Sequence, residues 1–237
     1  MADTLTQAHT DAHPVEPGAD SHPYVKSAGV AGLTWAAVLL VTNLINVPIS
    51  PAPDADTAEV VAHLTDDRAV IAVLTATFII GVPLVYWFLT GLAHFLARNG
   101  HSHAAVTGLF AFAGVFTMFG LAAATRLALV AAVETEAIDD STVWAIWKFH
   151  DVLFAFNAAP LAVTLAAFGI AGARIGLVPR IFRVLAPTGA ALLLASALLA
   201  LPIAEGTTAA TAPGGLGFAI WLTFVFAASI GLLKQAR

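Results

Sequence analysis

Apolar residues fall along this chain in six long stretches that are separated by short polar segments. A bilayer core about 30 Å thick needs about 20 apolar residues in each helix that crosses it, and six such helices with short links use nearly the whole chain. The pattern therefore predicts an all-α, polytopic membrane protein whose single domain, 25–237, is a six-transmembrane-helix bundle. The predicted spans lie near 25–47, 69–95, 104–133, 142–171, 182–202 and 215–234.

Composition agrees with this pattern. The chain has 237 residues, of which 59% are hydrophobic and 11% are charged, whereas soluble domains carry about 25% charged residues. The net charge of −5 does not indicate a nucleic-acid partner, because the acidic residues cluster in the N-terminal tail and in the predicted external loops. The absence of cysteine excludes disulfides, thiolate metal sites and cysteine nucleophiles. The partner that composition predicts is the lipid bilayer.

The Lys and Arg residues outside the apolar stretches are divided unequally between the two sides of the predicted bundle. With a cytoplasmic N-terminus, seven of them lie on the cytoplasmic side and only Arg68 lies outside. This positive-inside bias predicts a multi-pass protein of the plasma (cytoplasmic) membrane with both termini in the cytoplasm. The seven are Lys26, Arg98, Arg174, Arg180, Arg183, Lys234 and Arg237.

The N-terminal segment 1–24 is polar and rich in Asp, His, Pro, Thr and Ala. It lacks the basic start and the short apolar core of a cleaved signal peptide. It is therefore predicted to be a disordered cytoplasmic tail.

The first external loop is the longest link, and part of it has the pattern of a short helix. Asp56 and Glu59 have the spacing of a capping box, with Asp in the capping position. Ala58, Val61 and Leu64 then recur at helical spacing. The predicted helix is amphipathic and lies on the outer membrane surface, where it either simply connects two spans or covers a cavity.

Four charged or titratable residues lie within the third and fourth predicted spans, which form a hairpin. Arg126 is in the third span, and Lys148, His150 and Asp151 are in the fourth. At 1.5 Å per residue, Arg126 and Asp151 both lie about 10–14 Å below the outer helix ends. An unpaired charge there costs about 2.5–3.5 kcal/mol on insertion scales, so the matching depths predict an Arg126–Asp151 ion pair. Lys148 either shares that carboxylate at i−3 or extends toward the interface.

A second polar line begins at His150 and continues through Asn157 and Thr164 at intervals of seven residues, on one helix face. Pro160 should kink this helix. With Asn43 and Asn46 of the first span, these groups either line a water-accessible cavity that opens to the outside or cross-link the helices by hydrogen bonds. The surplus positive charge makes an anionic lipid or a small amphiphile the candidate ligand. The candidate binding residues are Arg126, Lys148, His150, Asp151, Asn157 and Asn43.

Aromatic and small residues predict contacts with lipid and between helices. Trp144 and Trp147 near the outer edge, and Tyr86 and Trp87 near the inner edge, predict an interfacial belt. Small residues recur along one face of the third span, which favours close helix packing. They are Ala113, Thr117, Gly120, Ala124 and Ala128.

No cofactor, metal site or catalytic residue is predicted. Haem requires opposed histidines at one depth, whereas His150 lies near the outer side and His94 near the inner side. His9, His13 and His22 of the tail lack the spacing of a known metal site. Metal-hydrolase motifs, phosphate-binding loops and a serine nucleophile elbow are absent from the sequence.

Three segments carry a resemblance to a known family: Ser27-Ala28-Gly29-Val30-Ala31-Gly32, Asp54-x-x-Thr57-Ala58-Glu59, and Gly176-Leu177-Val178-Pro179-Arg180. Over roughly residues 25–234 the chain resembles a family of small bacterial six-helix integral membrane proteins that is known only as a domain of unknown function. The resemblance implies the membrane fold, with no established activity and no catalytic residues.

Three functional hypotheses follow from the sequence. The first is a protein that binds or transports a small amphiphilic or lipid-like ligand in an outward-facing cavity near Arg126 and Asp151. The second is a structural or accessory membrane protein in which the charged residues only staple the helices together. The third is a membrane-embedded enzyme acting on a lipid or an isoprenoid, with His150 and Asp151 as acid and base. Neighbouring helix residues point about 100° apart, which argues against a direct His150–Asp151 dyad.

Overall fold

The computed structural model describes residues 21–135 and 138–235, and within these ranges it is helical without strands. The tail up to residue 20, with His9 and His13, lies outside the described residues, as do Glu136 and Arg237. A 3₁₀ turn, Thr208–Thr211, precedes the last helix. The α-helices are α1 Ser21–Ile49, α2 Thr57–Asp66, α3 Arg68–Arg98, α4 Ser102–Glu134, α5 Asp140–Phe156, α6 Ala158–Arg174, α7 Phe182–Leu198, α8 Ala200–Ala204 and α9 Ala212–Gln235.

Five helical segments in the described ranges are long and apolar enough to cross a membrane. This confirms the prediction of a helical, multi-pass membrane protein. The segment predicted as the fifth of six spans is the shorter helix α7, whose 17 residues extend about 26 Å. It ends at Leu198, and Leu199 separates it from α8. The five segments are Pro23–Ile49, Arg68–Arg98, Ser102–Glu134, Asp140–Arg174 and Thr208–Gln235.

The fourth predicted span is interrupted in its middle, between α5 and α6. Pro160 lacks a backbone N–H, so the carbonyl of Phe156 has no helical donor four residues later. The helix accordingly ends at Phe156 and resumes at Ala158 after a turn residue, Asn157. This break lies within about one turn of Pro160, where the sequence predicted a kink.

The long helices form a ring in which each packs against its neighbours in the order α1, α3, α4, α6, α7, α9 and back to α1. Large aromatic side chains fill the interior of the ring. Phe88, Phe168 and Phe224 are fully buried there, and Trp221 stacks on Phe112 with ring centroids 6.1 Å apart. Because the apolar interior excludes water, the polar chemistry of the bundle concentrates toward the helix ends.

Two glycines allow the helices of this ring to approach closely. A Cβ atom on Gly91 of α3 would lie 2.2 Å from the Cβ of Ala28 in α1, and one on Gly169 of α6 would lie 2.5 Å from that of Ala186 in α7. The small residues that the sequence pointed to in α4 do not have this role. Ala113, Thr117 and Ala124 are exposed, so the prediction that their stripe packs against another helix is wrong for this chain by itself.

The two ends of the bundle differ in charge. The end where α1 and α4 finish and α3 and α5 begin carries α2 and most of the acidic residues, and we call it the acidic end. The opposite end, between α3 and α4 and between α6 and α7, carries most of the basic residues and is called the basic end. At the acidic end, Arg68 is paired with Glu134, which ties the start of α3 to the end of α4.

The short helix α2 forms where the sequence predicted it. Asp56 accepts a hydrogen bond from the backbone N–H of Glu59 at 2.9 Å, so its capping role is confirmed. The buried face, however, consists of Val60, His63 and Leu64, and Ala58 is exposed. The predicted apolar face is therefore right for Leu64 and wrong for Ala58, because the helices α3, α4 and α5 against which α2 packs determine which side is buried.

Candidate functional site

The side chain of Arg126 lies at the centre of a polar cluster near the acidic end. From α4 its Nη1 donates to the Oδ1 of Asn46 in α1 at 2.7 Å. Its Nη2 lies 2.6 Å from the Nε2 of His63 in α2. The Nδ1 of His63 in turn lies 2.8 Å from the Oδ2 of Asp67. We call the chain Asn46–Arg126–His63–Asp67 the arginine network; it joins three helices and the residue that follows α2.

The network determines the protonation of His63. A guanidinium has only N–H donors, so the Nε2 of His63 must accept and its proton must be on Nδ1, which donates to Asp67. His63 is therefore neutral. Burial lowers the pKa of His63 from its ordinary 6.5, the hydrogen bond with Asp67 acts in the opposite direction, and the positive charge of Arg126 lowers it again.

Apolar side chains of α2, α3, α4 and α5 surround the arginine network where it faces the bundle. Trp147 of α5 is only 4% exposed, and its ring meets that of His63 edge-on with centroids 5.9 Å apart. Trp147 is thus part of the protein interior, and the prediction that it belongs to an interfacial belt is wrong. The surrounding apolar cluster consists of Val60, Leu64, Ile71, Leu129, Val130, Val143 and Trp147.

The predicted Arg126–Asp151 ion pair is not formed. Among the ion pairs of the described residues, Asp151 is matched only with His150, whose Nδ1 lies 3.3 Å from its Oδ1. Equal depth along two helices does not specify which way a side chain points around each axis, and Arg126 points toward α1 and α2. The expectation that neighbours on a helix stay apart is also wrong for His150 and Asp151, although 3.3 Å is long for a charge-assisted bond.

Lys148 extends away from Asp151 toward the loop before α2. Its Nζ donates to the carbonyl of Pro53 at 2.8 Å and lies 4.2 Å from the ring centroid of Trp144. A cation above an indole ring in such a position is attracted by the electrons of the ring face. Lys148 therefore fixes the loop that leads into α2; it does not share the carboxylate of Asp151.

The remaining candidate residues lie outside the arginine network. Asn43 donates to the carbonyl of Leu39 in its own helix at 2.8 Å, and Thr164 donates to that of Pro160 at 2.9 Å. Asn157 is 8% exposed at the break between α5 and α6, and its Oδ1 has no hydrogen-bond partner. His150 stacks on Trp147 with centroids 5.0 Å apart, so His150 and Asp151 reach the arginine network only through that ring.

One edge of the Arg126 guanidinium is only half used. Nε–H and Nη2–H point the same way from the planar group and together match the two oxygens of a carboxylate or phosphate. In this structure Nη2 is bound to His63, whereas Nε is buried without a partner. The edge that a two-oxygen anion would engage therefore keeps at least one unused donor, Nε–H.

Two of these contacts join residues whose spacing in the sequence already indicates that they are neighbours on a helix. His63 and Asp67 are four residues apart, a spacing that brings two side chains together on one helix face. Trp147 precedes His150 by three residues, which also places them side by side. Among the residues that the structure describes, no three or more His, Asp or Glu side chains group together in a way that can hold a metal ion.

Comparisons of the chain with protein-family models, with curated proteins and with solved structures found no match. The resemblance to a bacterial membrane family of unknown function therefore stays a prediction, and the arguments that follow use only the residues of this chain.

Proposed function

We propose that this protein is a six-span protein of the plasma membrane, with both termini in the cytoplasm, that binds a small amphiphile through an anionic head group at Arg126. The orientation is supported by the seven basic residues on one side against one on the other. In this arrangement the acidic end, with α2 and the arginine network, faces the outside.

The observation that carries the proposal is the set of partners around Arg126. Both of its direct partners, the amide oxygen of Asn46 and the imidazole of His63, are neutral. The nearest acidic partner, Asp67, is reached only through the imidazole. A cation inside a membrane protein is costly without a counter-charge, so the half-used edge of the guanidinium favours an anionic ligand.

In the proposed mechanism α2 is the lid of the site. The Nε of Arg126 is enclosed, so an anion reaches it only when His63 and α2 move away. The ligand oxygens then take the place of the Nε2 of His63 and complete the pairing with Nε–H and Nη2–H. Lys148 holds the loop before α2 at Pro53 and provides a second cation near the entrance.

A second candidate function is supported by the same contacts. The arginine network connects α1, α2 and α4, so Arg126 can serve as a staple that holds the acidic end together without any ligand. In that case the protein is a structural or accessory component, and Arg126 forms hydrogen bonds only with other residues of the protein.

Binding of palmitate and of hexadecanol distinguishes the two functions, because these probes share a chain and differ in the charged head. We expect native mass spectra of the protein in mild detergent to retain palmitate and not hexadecanol. Arg126→Gln should weaken palmitate binding by at least about tenfold, since a charge-assisted bidentate pair is lost. Arg68→Gln, which removes the same charge at the same end, is the matched control and should leave binding unchanged.

Equal binding of both probes, or equal palmitate binding by Arg126→Gln and the wild type, would refute the ligand site. The staple is then tested by a double-mutant cycle between Arg126 and Asn46, followed by thermal unfolding. A coupling free energy of about 1 kcal/mol or more supports a structural role. A cycle between Arg126 and Asp151 should give coupling near zero, because these two side chains do not pair.

A further inference from the structure

A groove of about 400 Å³ runs between α4 and α6 at the basic end of the bundle, opposite the end that holds the arginine network. Its walls are formed mainly by small or aliphatic side chains, among them Ala104 of α4 and Ala167 and Ile170 of α6. Val163, which borders it, is 43% exposed, so the groove opens sideways from the bundle. In a membrane-spanning helix pair, a lateral opening faces the lipid chains.

The groove exists because of the close approach of α4 and α6 and the small residues beside their contact. A Cβ atom on Gly108 of α4 would lie 2.5 Å from the ring of Phe168 in α6, so the two helices are tightly packed there. Next to this contact, Ala104, Ala166 and Ala167 leave a hollow that larger side chains would fill. The hollow follows the helices from Val163 to Arg174, which is about 16 Å at 1.5 Å per residue.

The end of this groove carries positive charge. Arg174, the last residue of α6, lines the groove and is exposed, and no ion pair or hydrogen bond engages its guanidinium within the part of the chain that the structure describes. His101, directly before α4, lies at the same end. An apolar trough that ends at an unpaired cation has the polarity of a lipid with an anionic head group.

We propose that this groove binds one anionic phospholipid, with an acyl chain lying along α6 and the phosphate at Arg174 beside His101. The exposed arginines Arg180 and Arg183 at the same end favour anionic lipids in the adjoining leaflet. Arg174 differs from them because it lies at the end of the apolar groove. This site is independent of the one at Arg126, which lies at the opposite end.

Native mass spectrometry in nanodiscs tests this site, with phosphatidylglycerol as the anionic probe and phosphatidylcholine as the zwitterionic one. We expect the protein to retain one phosphatidylglycerol in preference to phosphatidylcholine. Arg174→Gln should weaken that binding about tenfold, which corresponds to about 1.4 kcal/mol, the size of a charge-assisted hydrogen bond. Arg180→Gln removes an exposed charge at the same end and should change binding by less than about twofold.

A second pair of variants tests the apolar part of the groove. Ala167→Phe should expel the lipid by filling the hollow, whereas Val106→Phe, on an exposed position of α4 outside the groove, should not. Equal loss of binding in Arg174→Gln and Arg180→Gln would show only diffuse surface attraction and overturn the proposal. Undiminished binding in Ala167→Phe, or no preference for phosphatidylglycerol, would overturn it too. Near-native melting temperatures confirm that each variant is folded.

Discussion

A guanidinium that can only donate and an imidazole with one free lone pair set the chemistry of the arginine network. Arg126 requires an acceptor at 2.6 Å, so His63 must present an unprotonated Nε2. Protonation of His63 would place a second N–H and a second positive charge against Arg126. The contact therefore exists only while His63 is neutral, and acid should open it.

The first prediction concerns pH. The titratable groups facing His63 are Asp67, Arg126 and His150, and the pKa of His63 in the folded protein lies below 6.5. Its contribution to stability is thus complete above pH 6.5 and is lost as the pH falls below that value. The loss has a limiting slope of about 1.4 kcal/mol per pH unit for one proton. Thermal unfolding between pH 7.5 and 5 should show this loss.

His63→Gln is the variant that isolates the effect, since an amide oxygen can still accept from Arg126 and does not titrate in this range. It should flatten the pH dependence of the melting temperature. His103→Gln, an exposed histidine at the basic end, is the control and should retain the wild-type slope. An unchanged slope in His63→Gln would show that another group governs the acid sensitivity.

Among elements, α2 is the one whose position determines the site. Its ten residues are too few to be stable alone, so it depends on the cap at Asp56 and on the contacts of Val60, His63 and Leu64. A helix held by so few contacts opens more readily than the long spans. This is the property that a lid over Arg126 requires.

The second prediction follows from this cap. Asp56→Ala removes the hydrogen bond to the N–H of Glu59, and loss of an N-cap costs about 1 kcal/mol. Hydrogen exchange of the α2 amides should therefore become about fivefold faster, with little change in α3. Asp66→Ala, at the last residue of α2, removes the same charge without removing a cap. Equal acceleration in both variants would contradict a role for the cap.

The elements also show where sequence patterns are informative. The cap at Asp56 and the break near Pro160 depend on residues within one helical turn, so both could be predicted. The face that α2 buries could not, because it depends on helices that meet α2 from other parts of the chain. The burial of Trp147 could not be predicted for the same reason, since it depends on the packing of α2 against α5.

For the whole molecule, the separation of charge between the two ends is the dominant feature. The acidic end holds the arginine network and the basic end holds the groove beside Arg174. Two proposed sites at opposite ends are consistent with a bundle whose interior is filled by aromatic rings. The ring of helices does not enclose an open channel, because the buried side chains of Trp221, Phe88 and Phe224 fill its middle.

The third prediction concerns orientation, and the chain is well suited to test it because it contains no cysteine. Thr207 is exposed at the acidic end and Ser102 at the basic end. With the proposed topology, Thr207→Cys should react with a membrane-impermeant maleimide on intact cells. Ser102→Cys should react only after permeabilisation. The reverse result would invert the proposed orientation. If both variants react on intact cells, the two positions lie on the same side of the membrane, which contradicts the odd number of crossings proposed between them.

The sequence by itself determined the helical membrane class, the approximate extent of the long helices, the asymmetry of charge and the start of α2. Each of these depends on the composition of a single segment, because lipid selects long apolar helices and a cap acts within one turn. Only the tertiary structure decided the partners of Arg126, which lie 80 and 63 residues away in sequence. The depth of a residue along a helix follows from counting residues. The direction of its side chain around the helix axis, and the position of α2 against α3, α4 and α5, depend on the packing of all the helices together.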